Sequence, residues 1–137
     1  MRHLTLTGRK IMEGACTSTA LVSHAPISFL GGVNPTDGKV TLKNKDIPGQ
    51  CVKDKILVFP EHVGSTVGSY VLYSLSKRGL APAAIIVQEA DAVIAVGAVI
   101  ANIPMIDRVD ISQIKTGDTV QVDGEKGTAT ILKRAKS

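Results

Sequence analysis

The densest set of chemically capable side chains lies in Phe59-Pro60-Glu61-His62-Val63-Gly64-Ser65-Thr66-Val67-Gly68-Ser69-Tyr70. A continuous apolar run, Lys55-Ile56-Leu57-Val58-Phe59, reads as a buried strand that delivers the chain to this small-residue loop, where a helix begins. Unpaired N–H groups at a helix start favour carboxylate or phosphate. Gly64 and Gly68 allow a ligand to approach the backbone, and Ser65 stands at the mouth with its hydroxyl available. Two compatible readings stay open: Ser65 or Thr66 is an N-cap, or Ser65 serves an anion or a reaction. No GK[ST] follows the glycines, so this is not a P-loop. His62 has a side chain that can titrate near neutrality. Beside Glu61, its favoured reading is an exposed loop pair.

A second group occupies the loop Leu30-Gly31-Gly32-Val33-Asn34-Pro35-Thr36-Asp37-Gly38. Asn34 and Asp37 read first as turn formers that bond their own backbone; the functional alternative is that they line a pocket together with Ser28. His24, before Pro26 in an apolar stretch, reads as structural. Cys16 and Cys51 form no CxxC pair and have no His at ligand spacing, so packing roles are expected and no metal site is assigned to this chain.

Positioning these groups requires a mostly β framework. Leu4–Thr7, Ala20–Ser23 and Lys39–Leu42 read as short strands. After the buried strand, Val67, Val71, Leu72 and Leu75 mark one face of a helix that ends at Lys77-Arg78-Gly79, with cations in its last turn. Ala84-Ile85-Ile86-Val87 is the next buried strand, which makes a βαβ unit with parallel strands. A second short helix or an apolar turn is predicted over Ala92–Ala101, a strand over Ile103–Ile106 and a helical turn over Asp110–Ile114. Thr119–Val122 and Thr128–Leu132 are predicted to flank a hairpin loop at Gly124–Gly127. The expectation is one α/β domain spanning residues 1–137, with many short strands and one or two helices.

The 137 residues include 44% hydrophobic and 20% charged side chains, a globular composition. Only Phe29, Phe59, Tyr70 and Tyr73 are aromatic, too few for a platform that stacks nucleic acid bases. The formal net charge is +4, without a dense basic run, so a small anion or an acidic partner protein fits as well as nucleic acid does. The N-terminal MRHLTLTGRK lacks a signal-peptide apolar region. Ala90–Ile106 is interrupted by Asp91, Gly97, Asn102 and Pro104, so no membrane span and a cytoplasmic location are expected.

Two segments carry a family resemblance. Residues 26–38 resemble the PxSFxGGxxPxxG loop of aconitase X small subunits, and residues 57–72 resemble that family's LxFPxxxGSxxGSYVL signature. Gly79-Leu80-Ala81-Pro82-Ala83-Ala84-Ile85-Ile86, Gly97, Ala101 and Ile103-Pro104-Met105 follow in order, so the resemblance runs over residues 8–110. It implies a swivelling β/β/α domain equivalent to the mobile small domain of aconitase. It also implies half of a hydro-lyase, whose iron–sulfur cluster is carried by a separate, larger aconitase-like subunit. The implied reaction is loss of water from (R)-mevalonate 5-phosphate to give trans-anhydromevalonate 5-phosphate in archaeal isoprenoid synthesis. The alternatives are dehydration of cis-3-hydroxy-L-proline and a non-catalytic anion-binding module. The resemblance implies that such a cluster, held by the larger subunit, would supply Lewis-acid help to the leaving hydroxyl. Ser65 matches the family's small-domain serine, the proton-abstracting base, with Gly64 and Thr66 binding oxyanions and Ser28, Asn34 and Asp37 lining the pocket. Arg9 and Lys39 are the cations considered for a phosphate.

Overall fold

The computed structural model describes residues 3–135. Eight strands form one sheet: β1 (Leu4–Thr7), β2 (Arg9–Met12), β3 (Ala15–Val22), β4 (Ile56–Phe59), β5 (Ala84–Val87), β6 (Met105–Asp107), β7 (Thr119–Asp123) and β8 (Thr128–Lys133). The short turn α1 (Phe29–Gly32) and the helices α2 (Gly68–Lys77) and α3 (Ala92–Ala101) complete the α/β architecture, with a 3-10 turn at Ile111–Gln113.

The spatial order is β1-β8-β7-β3-β4-β5-β6-β2. β1 and β2 stand at its two ends but are joined through Gly8 alone, so one extended length of chain brings the sheet back on itself. A side chain at Gly8 would meet the Asp107 carbonyl, and its amide donates to Gly127 at 2.8 Å. β3 serves both halves. Ala15–Thr19 pair antiparallel with β7, whereas Ala20–Val22 pair parallel with β4. Its burial changes at the same place, from alternating to continuous, as expected where a strand passes from a half-solvated antiparallel sheet into a covered parallel one.

β4 and β5 are parallel, buried on every residue, and connected by α2. Alternate side chains serve two apolar layers. Ile56, Val58, Ala84 and Ile86 pack within the sheet's interior with Val120, Val122 and Ile131. Leu57, Phe59, Ile85 and Val87 pack on the other side, under Leu72 and Leu75 of α2 and Ile94 and Ala98 of α3. Each fully buried Leu or Ile contributes about 1.5–3 kcal/mol relative to exposure. The α2–α3 contact depends on Gly97, where a Cβ would come within 2.8 Å of Leu72 Cδ1 and 3.2 Å of Ser69 Cα.

The βαβ unit, the β7–β8 hairpin and α3 follow the sequence expectation. Lys39–Leu42 does not form a strand. Only isolated bridges occur there, Val33 to Val40 and Lys39 to Cys51, because the chain turns too tightly to run beside one partner. Three features went unpredicted: β2, whose partner β6 is almost a hundred residues away, the first half of β3, and the short turn α1 inside what read as a loop. Among the described residues, no helix is long and apolar enough to cross a membrane.

Candidate active site

Two loops leave the carboxyl ends of β3 and β4 and run side by side. Ile27 bridges to His62 in parallel fashion; the Ile27 amide donates to the Glu61 carbonyl at 3.1 Å and the Val63 amide to the Ile27 carbonyl at 3.1 Å. This ladder sets Ser28 against Gly64. Gly64 has φ +95°, and a Cβ there would lie 2.7 Å from Ser28 Oγ, so the position requires glycine for both conformation and space. Ser28 Oγ itself donates to the Leu30 carbonyl at 2.9 Å. The loop ends of parallel strands are where open α/β sheets place their ligands.

Ser65 follows directly and is half-buried. Its hydroxyl accepts the Val67 amide at 3.1 Å, and its carbonyl accepts the Gly68 amide at 3.1 Å. The capping reading therefore holds in a modified form. Ser65 closes a turn ahead of the helix, whereas the N-cap position is Val67, which has no side-chain cap. The opening amides of α2 are satisfied internally: Ser69 donates to Thr66, and Tyr70 and Val71 donate to Val67. Among the described residues, the amides of Gly64, Ser65 and Thr66 donate to no protein acceptor. Anion-binding capacity thus lies in the loop before α2 rather than in its first turn.

His62 departs from the sequence expectation of an exposed pair with Glu61. Glu61 is exposed, but the His62 side chain is 1% exposed. Its ring lies near-parallel to Phe29 at 6.1 Å between centroids, and Nδ1 stands 3.1 Å from Asp91 Oδ2. Nε2 is buried without a partner and faces Gly68, where a Cβ would approach it to 2.7 Å. Asp91 also accepts the Ile94 amide at 2.9 Å and so caps α3. An Asp before an apolar helical run is a legible cap signal; its pairing with a histidine 29 residues earlier is not.

Asn34 and Asp37 are not brought to this junction. Asn34 Oδ1 accepts the Thr36 amide at 2.8 Å and Asp37 Oδ1 accepts the Lys39 amide at 2.9 Å, so both exposed side chains close turns of their own loop. His24 is exposed rather than built into the interior, and lies 3.4 Å from Asp46. Arg9 is not available for a phosphate, because its guanidinium makes two hydrogen bonds, at 2.9 and 2.8 Å, to the buried Asp107 carboxylate. Lys39 is exposed and away from the cleft that Ser28 lines. That cleft, about 310 Å³, lies between Ile27, Ser28, Leu30, Gly31 and Val63, and among the described residues its only charged wall residue is Lys43, which the sequence did not single out.

Among the described residues, no three His, Cys, Asp or Glu side chains gather as a metal site. Cys16 Sγ donates to the Ala83 carbonyl at 3.5 Å, and burial pushes its thiol up, away from the thiolate a metal needs. Cys51 Sγ donates to the Asp37 carbonyl at 3.6 Å. The two cysteines do not fit a cluster within this chain.

Comparison with known proteins identifies the family. A family model described as the aconitase X swivel domain matches residues 5–131. The phosphomevalonate dehydratase small subunit of Thermococcus sibiricus is 52% identical over 128 residues, covering 93% of this chain and 98% of that protein. The protein of the same name from Methanocaldococcus jannaschii is 46% identical over 131 residues, covering 96% of this chain and 100% of its own. The crystal structure of Thermococcus kodakaraensis aconitase X in its holo-form superimposes with a TM-score of 0.93 at 52% identity, covering 95% of this chain and 99% of that one. With the two-loop junction at its strand ends and a family match over nearly its whole length, the chain belongs to the aconitase X swivel-domain family.

Proposed function

We propose that this chain, residues 1–137 as one swivel domain, is the small subunit of a cytoplasmic heteromeric dehydratase. The enzyme removes water from (R)-mevalonate 5-phosphate to give trans-anhydromevalonate 5-phosphate. A larger aconitase-like subunit completes the active site and holds the iron–sulfur cluster. The relatives named as phosphomevalonate dehydratase small subunits, at 52% and 46% identity over almost the full chain, support the substrate. The observation that carries the chemistry is the Gly64–Thr66 loop, a serine hydroxyl set among three unengaged amides.

Dehydration of a 3-hydroxy acid takes a proton from the carbon beside the carboxylate and hydroxide from the next carbon, leaving a double bond. Ser65 Oγ, as alkoxide, takes that proton. The C–H electron pair becomes the new π bond, and the C–O pair leaves with the hydroxide. The Val67 amide that already donates to Ser65 Oγ stabilises the negative oxygen. The amides of Gly64 and Thr66 face the developing charge on the substrate's carboxylate. Ser28 supports Gly64 from behind, and the turns closed by Asn34 and Asp37 hold the neighbouring loop.

Leu30, Val63 and Val67 are all exposed apolar side chains on the two loops. An apolar rim around unengaged amides is the surface a partner subunit covers when it closes a site. The test is anaerobic reconstitution with the larger subunit, with mevalonate 5-phosphate and cis-3-hydroxy-L-proline assayed in parallel. Ser65→Ala is expected to lower kcat by about 10²–10⁴-fold while the complex still assembles. Near-normal turnover by that variant would overturn the role of Ser65, and turnover of the proline alone would overturn the substrate.

A further inference from the structure

The cleft beside the Ser65 loop has one charged wall residue, and its surroundings hold that residue in place. Asn44, next to Lys43, is fixed by three hydrogen bonds: Nδ2 donates to Ser23 Oγ at 2.9 Å, and Oδ1 accepts the amides of Asp46 at 2.9 Å and Ile47 at 3.0 Å. On the other side, the Thr41 amide donates to the Gly32 carbonyl at 3.0 Å, which ties this segment to the glycine turn. Lys43 lies in the chain between these two anchored residues and lines the cleft together with Ser28 and Gly31.

Its charge is also unspent. The ion pairs among the described residues engage Arg9, Lys10, His24, His62, Arg108 and Arg134, and none involves Lys43. Among the described residues, no acidic side chain lines the cleft. Its other walls include Pro26, Ile27, Leu30 and Val63, which suit a short carbon chain. Ser28 and Val63 line this cleft, and Ser28 Oγ stands 2.7 Å from where a Gly64 Cβ would sit, so the cleft adjoins the loop that carries Ser65. A two-ended anion with one end on the Gly64–Thr66 amides therefore has an apolar wall and an unpaired cation in the adjoining cleft.

We infer that the Lys43 cleft is the subsite for the second anionic group of the substrate, a phosphate monoester, and that Lys43 sets selectivity for phosphorylated over unphosphorylated hydroxy acids. The inference rests on the proposed substrate reading, but its test separates the two. Lysine serves phosphate as a compact point charge, and a charge-assisted hydrogen bond of this kind is worth about one to two powers of ten in affinity.

The experiment uses the reconstituted, cluster-loaded complex and compares wild type with Lys43→Met and Lys43→Arg. The first readout is steady-state kinetics with mevalonate 5-phosphate and with mevalonate. The second is calorimetric binding of inorganic phosphate to the complex. Lys43→Met is expected to raise KM for the phosphorylated substrate by about 10–100-fold with kcat nearly unchanged. The same variant should weaken phosphate binding in parallel, and Lys43→Arg should recover most of both. If Lys43→Met binds phosphate as tightly as wild type, the subsite is overturned, whatever the kinetics. If wild type does not turn over mevalonate 5-phosphate but its phosphate binding still depends on Lys43, the substrate reading falls and the anion subsite stands.

Discussion

His62 Nδ1 lies 3.1 Å from the Asp91 carboxylate, and on the opposite side of the ring Nε2 faces Gly68 without a partner. One buried ring thereby joins the loop that carries Ser65, the first residue of α2 and the cap of α3. A carboxylate accepts, so Nδ1 donates in this contact.

Asp91→Ala removes both the α3 cap and the partner of a buried imidazole. The cap alone is worth about 1 kcal/mol and the orphaned ring about 1–3 kcal/mol. A loss of at least 2 kcal/mol is expected in urea denaturation of the complex-forming subunit, whereas Asp91→Asn, which keeps an acceptor for the Ile94 amide, should lose about half as much. Equal midpoints for wild type and Asp91→Ala would show that the junction contributes no stability.

Gly64→Ala faces two penalties, a φ of +95° and a Cβ 2.7 Å from Ser28 Oγ. About 1–3 kcal/mol of destabilisation is expected. Pairing it with Ser28→Ala removes the steric part and leaves the conformational part. The double mutant should therefore cost less than the sum of the single ones, by a coupling of about 1 kcal/mol. Strict additivity would mean the two loops do not press on each other.

Arg9 and Asp107 predict the acid limb of stability. Burial pushes the Asp107 carboxyl up, but the Arg9 guanidinium and the Ala90 amide outweigh it and hold the group below the ordinary carboxylate value. A folded-state value below the unfolded one stabilises the fold above the unfolded pKa, and that contribution is lost as pH falls through the folded value. Arg9→Met leaves burial opposed mainly by the Ala90 amide, so the folded value rises. The midpoint of acid unfolding, followed by circular dichroism, is expected to move toward neutral pH. An unchanged midpoint would show that the pair does not govern acid stability.

Val67 occupies the N-cap position of α2 and is 45% exposed. Its backbone is helical (φ −62°, ψ −18°), so its side chain is not set to cap, but a negative charge at a helix start is favourable, and Val67→Asp should leave the fold as stable while placing a charge in the apolar rim. Affinity for the larger subunit is expected to fall about tenfold or more in analytical ultracentrifugation, with thermal unfolding of the chain unchanged. Undiminished association would place the partner elsewhere.

Much of this protein could be read from local pattern. Ile56–Phe59 and Ala84–Val87 are buried on every residue, and such short apolar runs announce covered parallel strands. Lys77-Arg78-Gly79 marks the end of α2, and Gly124–Gly127 lies in the β7–β8 hairpin. The order of the glycine-serine motifs pointed to the family, because the loops they form are short and built from their own residues. Tertiary structure decided the rest. Arg9 could be seen as a cation but not as the partner of Asp107, 98 residues away. His62 read as a surface group until Phe29 and Asp91 closed over it. Lys43 was one of 16 basic side chains until the fold placed it on the wall shared with Ser28. Propensity, capping and turn chemistry act over a few neighbouring residues and leave their mark in sequence, whereas the neutralisation, burial or freedom of a charge depends on groups that meet only when distant strands pair.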